Sequence, residues 1–342
     1  MKISKSLNHF INNVCKYKTL SIIGLEKNTG KTTTLNFILN NVVNKTIGIT
    51  SIGRDGEEKD LVHGTSKPKI YIGVGTLVAT AKNSLLMSDA TFEILHVLDI
   101  NTPLGKIVIA KSVTSGFAEI SGPSTKSGIK AAINSMENYG VNLSIVDGAL
   151  SRKTFADPLI TEALILCIGA AYSENINTLA CETLKIVSFF SILEAENEVS
   201  NLYNKVMTEC KLAFIYEDKI LKSSLKTVIG ASEEIISNFN DKLKYIFIRG
   251  TLTNSLIEGI LNSKYTLSKI VFIIEDSTKL FFSREIYLRF QAKGGSFKVI
   301  NRMNIIGISV NPKATSGYCL DYTELKSKLE KEIAIPIFNV CE

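Results

Sequence analysis

The sequence predicts an α/β fold in two parts: a mostly parallel sheet with inserted strand pairs, followed by a second, smaller α/β domain. Three observations carry this. Apolar runs alternate with stretches of helical periodicity along most of the chain. A threonine-rich turn between glycines joins the first apolar run to the first helical stretch. The length, 342 residues, exceeds one typical domain and is ample for a large buried core.

The first strand is the apolar run Leu20 to Ile23, and the turn reads Gly-Leu-Glu-Lys-Asn-Thr-Gly-Lys-Thr-Thr-Thr from Gly24 to Thr34. Leu35, Ile38, Leu39 and Val42 then fall at i, i+3, i+4 and i+7, one apolar helical face. Strand, glycine-rich turn and helix together are the context of a phosphate-binding loop, so the first sheet is expected to be of the P-loop NTPase type. Backbone N–H groups of such a loop point at an anion, Lys31 adds a mobile positive charge, and the Thr32 hydroxyl reaches a magnesium ion. The expected nucleotide contacts are Gly24, Lys27, Asn28, Thr29, Gly30, Lys31, Thr32 and Thr33. The usual motif has four residues between its glycines; here five separate Gly24 from Gly30, and Leu25 stands at the expected first glycine.

Thr46 to Ile52 reads as a strand leading into the polar loop Gly53-Arg54-Asp55-Gly56-Glu57, which a doubly wound sheet places beside the phosphates. Lys69 to Ile72 and Thr76 to Ala81 read as a hairpin joined through glycines, Leu85 to Leu98 as a helix, and Ile107 to Ala110 with Phe117 to Ile120 as a second strand pair. Ile129, Ala132, Ile133 and Met136 define the next helix face. Val141 to Asp147 is then a buried-type strand that ends in a carboxylate and Gly148. Asp147 is the expected second magnesium ligand; the alternative is a strand-terminating Asp-Gly turn. Ala163 to Ile168 makes one more strand, with a helix through Ile176, Leu179, Ala180 and Thr183. These elements make a nucleotide-binding domain over 1–190.

A charged connector leads to the second domain, placed at 205–342. Its apolar runs are Leu212 to Tyr216, Tyr245 to Ile248, Ile270 to Ile274, Phe297 to Ile300, Ile305 to Val310 and Ile333 to Val340, and Asp321 with Glu324 forms a capping box before the last helix. The polar loop Asn311-Pro-Lys-Ala-Thr-Ser-Gly-Tyr-Cys319 either contacts a partner or turns the chain.

Hydrolysis of a phosphoanhydride needs phosphate positioning, a metal and a group that orients water. Lys31, Thr32 and Asp147 meet the first two needs; Asp55, and after it Glu119, are the candidates for the third, with Arg54 or Arg152 neutralising phosphate charge. No Asn-Lys-x-Asp sequence appears, which argues against an ordinary guanine site, so the expected cofactors are ATP and Mg2+.

A net charge of +6 with scattered lysines does not imply nucleic acid. The longest apolar stretches, such as Leu164 to Ala171, are too short to span a bilayer, and the first residues lack a signal-peptide core, so a cytoplasmic protein with no membrane partner is expected. Six cysteines without Cys-x-x-Cys spacing and three scattered histidines give no metal or cobalamin ligand motif, and reduced thiols are expected.

The displaced glycine resembles the loops of dethiobiotin synthetase and of the ATP-dependent amidases of cobyrinate synthesis, in the dimerising P-loop branch. A homodimer is compatible with that branch, although Glu26 stands where some members carry an extra signature lysine and Lys27 comes one residue later. The segments 24–33, 51–57, 67–71, 75–81, 118–124 and 146–153, with 311–318 as a weaker match, together resemble the ATP-binding subunit of the reactivating factor for adenosylcobalamin-dependent lysine 5,6-aminomutase of lysine-fermenting anaerobes. The resemblance implies a chaperone-like ATPase that helps the mutase exchange damaged cobalamin for fresh cofactor. It implies as partners the mutase and a companion subunit resembling a mismatch-repair ATPase. The alternatives are a ligase or amidase like dethiobiotin synthetase, or a nucleotide-switched cofactor delivery protein.

Overall fold

The computed structural model describes residues 5–52, 69–149 and 158–339. The chain divides into two compact units, Met1–Ala180 with Met303–Glu342, and Cys181–Arg302.

The first unit opens with helix α1 (Lys5–Val14), strand β1 (Thr19–Gly24), α2 (Lys31–Asn41) and β2 (Ile47–Ser51). Next come β3 (Ile70–Ile72), β4 (Leu77–Ala81), α3 (Lys82–Leu86), β5 (Phe92–Thr102), β6 (Gly105–Ser112) and β7 (Gly116–Ala118). After these the chain runs through α4 (Lys126–Asn138), β8 (Leu143–Ala149), β9 (Ala163–Gly169) and α5 (Ile176–Phe190), which crosses the unit boundary.

The second unit holds α6 (Asn197–Val206), β10 (Leu212–Tyr216), β11 (Ile220–Lys222), α7 (Ser232–Ser237), β12 (Leu243–Ile248), β13 (Leu252–Thr253) and α8 (Asn254–Leu261). It closes with β14 (Val271–Ile274), β15 (Leu280–Phe281), α9 (Arg284–Ala292) and β16 (Ser296–Val299). The chain then returns to the first unit as β17 (Asn304–Asn311), α10 (Tyr322–Glu330) and β18 (Ile337–Phe338).

The large sheet has nine strands in the order β18-β17-β9-β1-β8-β2-β4-β6-β5. From β18 to β4 every neighbouring pair is parallel, and β6 and β5 close the edge antiparallel. It is a mixed sheet of mostly parallel strands, in line with the expected α/β class. Parallel strands covered on both faces need apolar residues throughout, and every residue of β1, β2, β4 and β9 is buried.

Successive residues serve opposite faces. On β8, Leu143 and Ile145 pack with Leu35 and Ile38 of α2 and with Phe10 and Val14 of α1, while Val146 packs with Ile129, Ala132, Ile133 and Met136 of α4. The Thr125 side chain caps α4 by accepting from Gly128 N–H at 3.1 Å.

Four expectations are corrected. β3 and β4 are not a hairpin: β3 pairs with β7 in a separate two-stranded sheet, whereas β4 lies beside β2. For the same reason β6 and β7 are not a strand pair. The stretch Leu85 to Leu98 is helical only to Leu86 and becomes the edge strand β5. The second domain ends at Arg302 instead of running to 342, because β17 and β18 add to the first sheet beside β9. Backbone pairing assigns a strand to its sheet, and an apolar run carries no mark of its partner.

In the second unit the sheet order is β11-β10-β12-β14-β16, with β12, β14 and β16 parallel and β10 and β11 antiparallel. Phe214, Ile246, Phe272 and Phe297 face α8 and α9, and Ala213, Phe247 and Ile273 face α6. Asp321 caps α10 as expected, accepting from Glu324 N–H at 3.0 Å, which is one half of a capping box. None of the described helices is long and apolar enough to cross a membrane. The described cysteines Cys15, Cys167, Cys181, Cys210 and Cys319 are free.

Candidate functional site

The turn after β1 is built from close packing. Leu25 N–H donates to Cys167 O at 3.1 Å, so residue 25 still belongs to the ladder with β9, and its side chain is buried. This accounts for the displaced glycine. Gly24 is where space runs out: a Cβ there would overlap Thr29 Oγ1 and lie 2.9 Å from Lys31 Nζ. Thr29 is fully buried, and its hydroxyl donates to Glu26 O at 2.9 Å. Lys31 Nζ donates to the same carbonyl at 2.8 Å.

Two residues take left-handed backbone conformations, Asn28 with φ 62° and Gly30 with φ 88°. They turn successive N–H groups toward one side, which is the geometry of an anion-binding concavity. Gly30 starts α2 without a side-chain cap, and the first turn carries no acidic residue. The N–H groups of Lys31, Thr32 and Thr33 therefore point out of the positive end of the helix. Lys27 and Asn28 are exposed on the turn, Thr32 is half-buried and Thr33 exposed.

Asp147 reaches this region along β8, opposite Ile22 of β1 and Ser51 of β2, with its Oδ1 shielded from solvent. The thiol of Cys167 feels the charge of both Lys31 and Asp147. Burial pushes it up to about 12; the hydrogen bond to Thr34 and the charge of Lys31 oppose that rise, and the charge of Asp147 adds to it. Lys31 and Asp147 thus act on one buried atom with opposite sign. The Thr32 hydroxyl and Asp147 carboxylate are hard oxygen donors of the kind that suit magnesium. No group of three or more His, Cys, Asp or Glu able to hold a metal occurs among the described residues. A magnesium ion here would take its remaining ligands from water and phosphate, as that ion commonly does.

Glu119 follows β7 and is half-buried, on no strand of the large sheet. Its segment is fastened to the end of β2: Ser51 Oγ donates to Ile120 O at 2.7 Å, and Gly122 N–H donates to Ser51 Oγ at 3.1 Å. Ser51 is opposite Asp147, so Glu119 directly precedes a residue anchored beside that strand end. Asp55, Arg54 and Arg152 lie outside the described residues.

Sequence reasoning missed Asn311. This last residue of β17 donates from Nδ2 to Asn28 O at 2.9 Å, and its Cβ is 3.1 Å from where a side chain on Gly30 would begin. Its carbonyl accepts from Ala170 N–H at 3.1 Å, joining the ends of β9 and β17. Beyond it the loop folds on itself, Ala314 N–H donating to Tyr318 O at 2.8 Å, and Ser316 Oγ donates to Glu174 Oε1 at 2.6 Å. The polar character of 311–319 was visible in the sequence; its position against the turn was not. Gly24, Leu25, Asn28, Gly30, Lys31, Asp147, Cys167 and Asn311 thus meet at the carboxyl ends of four adjacent parallel strands, β17, β9, β1 and β8.

No protein-family model matches this chain, and comparison with curated proteins and with solved structures gives no significant match.

Proposed function

We propose that the turn Gly24–Thr33 is a phosphate-binding loop of a P-loop NTPase-type sheet, and that the chain is a magnesium-dependent ATPase. The observation that carries this is the turn itself, in which Asn28 and Gly30 are left-handed, Lys31 Nζ folds over Gly24 onto Glu26 O, and α2 starts without a side-chain cap. A positive group that moves, a fixed carboxylate and free helix N–H groups are what a metal–triphosphate requires. The residues that hold the nucleotide are Gly24 and Lys27 to Thr33; Thr32 and Asp147 hold magnesium, which when bound draws charge from the phosphates. Lys31 exchanges its bond to Glu26 O for phosphate oxygen. Glu119 and Asp55 remain the candidates to orient water.

The finer reading is ATP-driven reactivation of an adenosylcobalamin-dependent lysine 5,6-aminomutase, acting with a companion ATPase subunit. It rests on the family resemblance of the segments quoted above. Nucleotide can favour an open mutase only if this protein binds that state more tightly, so the coupling is a population shift.

Two measurements test the proposal in turn. Calorimetric titration with Mg-ATP should show saturable binding that Lys31→Ala abolishes without lowering the melting temperature; equal affinity in the variant would remove the phosphate-loop assignment. The wild-type chain, its companion and ATP should restore activity to mutase blocked by hydroxocobalamin once adenosylcobalamin is supplied. Recovery at the same rate without ATP rejects the reactivase reading and leaves the nucleotide site standing.

A further inference from the structure

The second unit has an edge of its own that suits a ligand. β12, β14 and β16 are parallel, and in open α/β sheets ligands bind beyond the carboxyl ends of such strands. At the end of β12 a cavity of about 320 Å³ opens between the segment Met207–Lys211, after α6, and the segment Ser223–Lys226, after β11. That volume is at the small end of the range for small-molecule sites.

The walls are set by backbone bonds. Arg249 N–H donates to Lys211 O and its Nη1 to Met207 O, both at 2.9 Å, which fixes the guanidinium at the cavity. Ser223 N–H donates to Leu212 O at 2.9 Å and Leu225 N–H to Ser223 Oγ at 3.0 Å, folding the opposite wall back on β10.

The lining is strongly biased in charge. Lys211, Lys226 and Arg249 contribute three cations, with hydroxyls from Thr208, Ser223 and Ser224. Glu209 is the one carboxylate among the lining residues, and Lys222 holds it at 2.6 Å. Arg249 Nε is also 3.4 Å from Glu275 Oε1, which keeps the plane of the guanidinium in place. The Thr208 hydroxyl donates to Lys205 O at 2.8 Å, but the cations with the Ser223 and Ser224 hydroxyls around a small volume form a donor set for a tetrahedral oxyanion, which accepts hydrogen bonds from several directions at once.

We propose that this cavity is a second ligand site, which takes a small molecule by its phosphate group and works independently of the turn at Lys31. Its likeness to the first site is chemical only, since no glycine-rich turn or helix start lines it.

The test is calorimetric titration of the full-length chain carrying Lys31→Ala with inorganic phosphate, and separately with acetate. Saturable phosphate binding is expected, weakened about tenfold or more by Lys211→Gln with Lys226→Gln, as the loss of charge-assisted hydrogen bonds implies. Both lysines are exposed, so the melting temperature should hold; Lys226→Gln alone should give a smaller loss in the same direction. An isotherm unchanged by these substitutions, the absence of saturable phosphate binding, or acetate binding as tightly as phosphate would each overturn the assignment.

Discussion

Asn311 Nδ2 donates to Asn28 O across 2.9 Å, tying the end of β17 to a residue whose own backbone is left-handed. The bond braces the turn at its least comfortable point, because a non-glycine residue at φ 62° needs support from its surroundings. Asn311→Ala is therefore expected to weaken Mg-ATP binding roughly three- to tenfold, in line with the ~0.5–1.5 kcal/mol of one hydrogen bond. Asn311→Asp should weaken it further, since it removes the donor and adds negative charge beside an anion site. Calorimetry on both variants checks this, and an aspartate variant that binds as well as wild type contradicts the bracing role.

Gly24→Ala should destabilise the chain by about 1–3 kcal/mol, the cost of forcing an extra methyl into packed structure. The added Cβ overlaps Thr29 Oγ1, which is buried and has nowhere to go, and crowds Lys31 Nζ, which can swing out. Combining it with Thr29→Ala should recover part of the loss. A double-mutant cycle from urea melts measures the coupling; strict additivity would show that the two positions do not compete for space.

Asp147→Asn should raise the magnesium concentration needed for half-maximal ATP hydrolysis more than it lowers nucleotide affinity, because an amide oxygen is a weaker ligand for this cation than a carboxylate. A magnesium titration of ATPase activity decides the matter. An unaltered midpoint would reduce Asp147 to the residue that ends a strand.

Cys167 gives a pH dependence with a definite sign. Burial lifts its thiol from 9.0 to about 12 in the folded chain, so the unfolded chain loses this proton first. Below about pH 9 both states hold it and nothing is lost; between about pH 9 and 12 the folded state binds more protons and stability falls as pH rises, by ~1.4 kcal/mol per pH unit for one group. Cys167→Ala removes that contribution. Urea melts near pH 8 and pH 10.5 should show the stability advantage of wild type over the variant shrinking at the higher pH; a constant difference would mean that the thiol is not held neutral.

The parts of the fold legible in the sequence were those whose signal is local. β1, the start of α2, β8 and β9 read correctly because buried parallel strands are continuous apolar runs, and Asp321 with Glu324 marked α10 through a bond between near neighbours. β5 misled for a physical reason. Its ladder with β6 is shifted between Ile94 and His96 and again between Val97 and Asn101, so the alternation slips and Ile94, Val97 and Leu98 fall at helical spacing. Asn311 and the return of β17 to the large sheet had no local signature, because each is defined by a partner far along the chain.

The bond between Asn28 and Asn311 also has a meaning in time. The two residues are 283 positions apart, and at a synthesis rate of about 5–20 residues per second roughly 14 to 57 s separate their appearance. The whole Cys181–Arg302 unit is made in that interval. The turn waits through it without its brace, and the candidate site reaches its final geometry only after the second unit already exists.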